Sequence, residues 1–131
     1  MPHIIIEYSA NVDEHADIDE LVGLIHRAAL DDGLPPADGL RTRAVASTRY
    51  LVADGDPAWA FVAVTARVGA GRSAGERRRF LDALVEAADA WVEGIDGLAT
   101  ALSVELQEID PELRVNRNHV RQAMARRSPP G

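Results

Sequence analysis

The chain of 131 residues contains no cysteine and no lysine. The first absence excludes disulfides, a thiolate nucleophile and cysteine-based metal sites. The second excludes Schiff-base chemistry on a lysine, and it makes all 14 basic residues arginine. Positive charge is also outnumbered, with a net charge of −7. That balance argues against nucleic acid as a partner, because a phosphate-binding surface needs a broad cationic face. No apolar run approaches the roughly 18 residues needed to span a bilayer, so no membrane association is expected. The first twenty residues, MPHIIIEYSANVDEHADIDE, lack the basic and apolar regions of a secretory signal, and the expected compartment is the cytoplasm.

Familiar motifs are missing as well. There is no HxH or HExxH metal spacing, no Walker loop and no GxSxG elbow. The glycines of GAGRSAGE are wrongly spaced for a dinucleotide fingerprint. His3, His15, His26 and His119 are scattered, and each reads as a surface or structural residue.

What is present is the pattern of one globular domain over residues 1–131, with a flexible tail at 126–131. Ile4-Ile5-Ile6 marks a strand from Pro2 to Tyr8 that looks buried on both faces. Asp17 with Glu20 signals a helix start, and Ile18, Leu21, Val22, Ile25 and Ala29 continue at helical spacing. Gly33 and Pro35-Pro36 stop that helix. A second strand is expected over Leu40 to Leu51 and a third over Ala58 to Val68, joined as a hairpin by the turn cluster Ala53 to Pro57. Ser73-Ala74-Gly75-Glu76 is a capping box. Phe80, Leu81, Leu84, Val85, Ala88, Trp91 and Val92 form an amphipathic stripe. A fourth strand fits Ala101 to Ile109, and a short helix fits His119 to Ala125.

The order β-α-β-β-α-β implies an α/β chain in the two-layer α+β sense, a four-stranded sheet with two helices on one face. Strands one and three are apolar throughout, so the uncovered face would be a large apolar patch. A homo-oligomer that buries it is expected; the alternative is that the tail folds over it.

Two features carry possible chemistry. Removal of Met1 would turn Pro2 into the chain terminus, a secondary amine. An α-amino group has a pKa of about 8, and burial or a neighbouring cation lowers it toward the range of a general base. The plainer alternative is a proline that simply starts a strand. Second, Arg41 and Arg43 point to the same side of a strand, and Arg72 precedes a helix N-terminus that favours anions. These arginines suit bidentate carboxylate binding; surface solvation is the alternative.

Five blocks, in order, resemble the 5-carboxymethyl-2-hydroxymuconate Δ-isomerase family of the tautomerase superfamily. They are Pro2-His3 with Ile5, Glu7, Ser9 and Asn11; Ala53-Asp54-Gly55; Ala60-Phe61-Val62; Gly69-Ala70-Gly71-Arg72-Ser73; and Leu102-Ser103 with Glu105 and Glu108. The resemblance runs from Pro2 to about Ala125. It implies a tautomerase-like subunit, a homotrimer with sites near subunit boundaries, and no cofactor. It implies that Pro2 carries the proton and that Arg41 and Arg72 bind the carboxylates of a small polycarboxylate, with Arg43 in the same pattern. The implied reaction moves a double bond in homoprotocatechuate degradation. A tautomerase of smaller enols, such as 2-hydroxymuconate or phenylenolpyruvate, is an enzymatic alternative. A non-catalytic trimeric binding module is the other, if Met1 is retained.

Overall fold

The most apolar strands take the centre of the sheet. In the computed structural model, which describes residues 2–127, β1 (His3–Ser9), β2 (Arg41–Ser47), β3 (Trp59–Gly69) and β4 (Ala99–Ile109) form one sheet in the order β2-β1-β3-β4. β1 pairs with β2 in parallel and with β3 antiparallel, and β3 pairs with β4 in parallel. The edge strand β2, RTRAVAS, carries the arginines and hydroxyls that keep an edge from recruiting further strands.

Helix α1 (Ile18–Asp32) begins where Asp17 accepts a hydrogen bond from the Asp19 amide and ends on Gly33 at φ +81°. Helix α2 (Ala74–Glu93) opens with the complete capping box: the Glu76 amide donates to Ser73 Oγ and the Ser73 amide to Glu76 Oε1. Both helices cover one face. Leu21, Ile25 and Ala29 of α1 and Phe80, Leu84 and Ala88 of α2 share a buried core with Ile4, Ile6, Val62, Val64 and Ala66. A third helix, α3 (His119–Arg127), follows a short 3-10 turn at Pro111–Leu113. The two-layer, four-stranded architecture is therefore the expected one. Arg126 and Arg127, expected in a loose tail, close α3; the rest of that tail lies outside the described residues.

Two expectations need correction. β2 and β3 are not a hairpin, because β1 lies between them. Residues 48–58 instead carry the chain from one side of β1 to the other. β2 also stops at Ser47, not Leu51. Apolar alternation reports that a segment is a strand; it does not report its neighbour. Nor is the uncovered face uniformly apolar. Strand alternation sends Ile4 and Ile6 inward and leaves His3, half-buried Ile5 and exposed Glu7 on the other side. β3 likewise leaves Trp59, Phe61, Ala63, Thr65 and Arg67 outward. One end of that face is thus basic, and its middle, with Ile5, Phe61 and Ala63, is only partly buried. The C-terminal segment reaches the basic end, where Leu113 and Val115 line a recess with His3 and Arg67.

Leu84 is fully buried, whereas Val85 beside it is 38% exposed. Leu84→Ala is expected to lower unfolding free energy by about 2–5 kcal/mol, and Val85→Ala by about 1 kcal/mol or less. Urea denaturation checks this; equal losses would show that α2 does not turn Leu84 toward the core.

Candidate active site

Pro2 lies immediately before β1 and is buried. Its carbonyl accepts a hydrogen bond from the Arg41 amide at 3.2 Å, which ties the residue to the start of β2. Around it is a recess of about 210 Å³, walled by Leu34, Pro35, Pro36, Val68 and Gly69 and bordered by Arg72 and Arg114. The walls come from the α1–β2 loop and from the end of β3. Gly71, at φ +113°, makes the turn between β3 and α2 that delivers Arg72; few other residues tolerate that conformation.

The Arg72 guanidinium donates to the Leu34 carbonyl at 3.2 Å. Leu34 is held in turn, because its amide donates to Asp32 Oδ2. Asp32, with its side chain only 4% exposed, also pairs with Arg79 of α2 at 2.9 Å. One carboxylate at the end of α1 therefore fixes the loop that walls the recess. The C-terminal segment is tied down on the opposite side: Arg121 makes a two-pronged pair with Asp38 at 2.9 and 3.3 Å, and Asn118 Nδ2 donates to the Asp38 carbonyl.

Of the residues expected at a site, the fold brings Pro2 and Arg72 to one recess. Arg41 and Arg43 do not line it. Arg41 lines a neighbouring recess of about 440 Å³ with Asp38, Gly39 and residues of α3. Arg41 and Arg43 share the uncovered face with His3 and Ile5, their register partners, and Arg43 Nη1 lies 3.1 Å from His3 Nδ1. Three residues near the site are not marked as such by the sequence. His3 looks incidental there, Arg67 is the antiparallel partner of His3 on β3, and Arg114 arrives on the C-terminal segment. The strand register points to Arg67 only once the order of the strands is known. No local pattern marks Arg114.

Burial, then the fields of Arg41, Arg43 and Arg67, push the His3 imidazole below its ordinary pKa. Both causes disfavour the charged ring. The sheet end beside Pro2 is therefore strongly cationic without the histidine. Among the described residues, no group of three or more His, Asp or Glu side chains gathers to hold a metal ion, and no helix is long and apolar enough to cross a membrane.

The family described as 5-carboxymethyl-2-hydroxymuconate isomerase matches residues 2–124. The 5-carboxymethyl-2-hydroxymuconate Delta-isomerase of Escherichia coli is 32% identical over 121 residues, covering 92% of this chain and 96% of that protein. A crystal structure of a 5-carboxymethyl-2-hydroxymuconate delta-isomerase superposes with a TM-score of 0.85 at 24% identity, over 95% of this chain and 93% of that one. At 16% identity, a fused 4-OT wild-type symmetric trimer has the same fold, with a TM-score of 0.59 over 88% of this chain and 93% of that one.

The surroundings of His3 have a testable consequence. A depressed folded-state pKa means the neutral ring favours the folded chain. Its stabilisation is complete above the unfolded value of about 6.5 and is lost as pH falls from there through the folded value. The His3 ring resonance should titrate below 6.5, and Arg43→Gln should move its midpoint upward. A wild-type midpoint at or above 6.5 in an NMR pH titration would mean that the arginines do not act on the ring.

Proposed function

Since the chain belongs to the 5-carboxymethyl-2-hydroxymuconate isomerase family and is an isomerase of the tautomerase superfamily, we propose that the Pro2 amine, freed by removal of Met1, is its proton carrier. The observation that carries this reading is the recess itself. The residue just before a central strand sits buried in a recess walled by Leu34, Pro35, Pro36 and Val68 with Arg72 and Arg114 at its border, and burial beside cations is what a base working near neutral pH requires.

The substrate in this reading is 5-carboxymethyl-2-hydroxymuconate, a dienol with three carboxylates. The Pro2 nitrogen takes the proton of the 2-hydroxyl. The O–H bond breaks, C2–O becomes a carbonyl, and the double bonds shift so that C3–C4 is double. The resulting prolyl ammonium returns a proton to C5, giving the conjugated enone. No electrons are gained or lost, so the step needs no redox partner or cofactor. Arg72 binds a carboxylate beside Pro2 and steadies negative charge as it develops. Arg41 and Arg43, at the neighbouring end of β2, supply further positive charge. An arginine serves well here because its fork matches a carboxylate and never loses its proton. The place of this reaction is homoprotocatechuate degradation in the cytoplasm.

The assembly in this reading is a homotrimer. The partly buried middle of the uncovered sheet face supports it, since a monomer would leave Ile5, Phe61 and Ala63 facing water. The superfamily fold is also seen in a symmetric trimer.

Mass spectrometry of the cytoplasmic protein should show loss of Met1. With processed protein and the dienol, a spectrophotometric assay should show turnover. Pro2→Ala should keep the oligomer by light scattering yet lower kcat by about a hundredfold or more. Arg72→Ala should raise KM about tenfold. Full kcat in Pro2→Ala would remove the proline as base. Kinetics unchanged in Arg72→Ala would remove that arginine from the site.

A further inference from the structure

On the other side of the β1 start from the Pro2 recess is a second one, of about 220 Å³, lined by His3, Arg67, Ile109, Leu113, Arg114 and Val115 among others. Arg114 lines both recesses. Pro2 and His3 are consecutive, so their Cα atoms are only about 3.8 Å apart. Alternation along the strand turns one residue to each side of the sheet.

The second recess is built for an anion. Arg43 Nη1 meets His3 Nδ1 at 3.1 Å. A guanidinium has no acceptor, so it donates and the histidine nitrogen accepts. That contact fixes the tautomer and leaves the His3 Nε2–H as a donor. Arg67 adds a guanidinium from β3. Among the described residues lining this recess none is acidic. On the same sheet face, Glu7 accepts from the Ser47 hydroxyl, and Glu105, the β4 partner of Thr65, is the acid nearest Arg67 in the register. The recess itself thus gathers arginines without an acid in its lining, in a chain whose net charge is −7. Arg43 and Arg67, which both bear on His3, repel one another unless an anion joins them.

We propose that the His3–Arg67 recess is a second carboxylate subsite, which holds a carboxylate of the polyanionic substrate remote from the Pro2 amine. The inference rests on the reading that Pro2 acts on a polycarboxylate, and it adds the residues that select one. Arg43 is a positioning residue in this arrangement, acting through the His3 ring. A small monoanionic enol fills the Pro2 recess alone and gains nothing from Arg67.

The test begins with binding, which does not require turnover. Processed protein is titrated with propane-1,2,3-tricarboxylate, and separately with acetate, at constant ionic strength. The His3 ring resonance is followed by NMR. The tricarboxylate should shift that resonance saturably and raise the His3 titration midpoint, because an anion favours the imidazolium. Arg67→Gln should weaken this binding about tenfold, and Arg67→Lys should restore part of it. In kinetics, Arg67→Gln should raise KM for the dienol tricarboxylate several-fold more than for phenylenolpyruvate. Circular dichroism establishes that each variant is folded, and His3→Gln, with tricarboxylate binding read by isothermal titration calorimetry, gives a second route to the same loss of binding. No His3 shift in wild type, equal binding of acetate and tricarboxylate, or equal KM effects on both enols would overturn the subsite. Full turnover in Pro2→Ala would instead overturn the base, while the tricarboxylate titration, which needs no turnover, would still decide whether this recess binds the anion.

Discussion

The start of β1 is held from both sides, and the site depends on that clamp. β2 runs parallel along one edge of the strand and β3 antiparallel along the other. The Arg41 amide closes on the Pro2 carbonyl at the very end of the ladder. A chain terminus ordinarily frays. Here His3–Ser9 form a central strand of a four-stranded sheet, and the far end of that strand is pinned too. Ser9 Oγ accepts from the Phe61 amide at 2.9 Å, and Asn11 Nδ2 donates to the Trp59 carbonyl at 2.8 Å. A nitrogen at this position inherits the rigidity of the core without needing a side chain of its own.

The same clamp divides the charge. Two arginines of β2 and one of β3 surround His3 on the uncovered face, while Arg72 reaches the Pro2 recess from the β3–α2 turn. Placing cations on both sides of one strand end makes a small basic region on an acidic protein. A local basic region of this kind suits the small polycarboxylate proposed as substrate, whereas a uniformly basic surface is the pattern suited to nucleic acid. Using only arginine keeps that charge constant with pH, so histidine is the group there that answers to protonation.

Support for the recess comes from outside the sheet. Asp32 links α1, α2 and the Leu34 loop, and Asp38 anchors the C-terminal segment through Asn118 and Arg121. These acids count toward the net negative charge, yet their work is structural. They hold the loops whose backbone and arginines face the cleft. Neither stands in a motif, because their arginine partners lie 47 and 83 residues away in sequence.

Local patterns alone determined much of this protein. The capping box at Ser73, the helix stop at Gly33 and the spacing of Leu21, Ile25 and Ala29 are short-range facts, since caps and periodicity are set by near neighbours along the chain. They suffice for the element order and the two-layer class, and the ordered blocks around Pro2 and Arg72 suffice for the family. Only the tertiary structure decided which strands touch. It set β1 between β2 and β3, paired His3 with Arg67, and carried Arg114 to the edge of the Pro2 recess. Those contacts join residues tens of positions apart, and strand pairing is chosen by burying the most apolar strands at the centre of the sheet, a competition among all four that no single segment records.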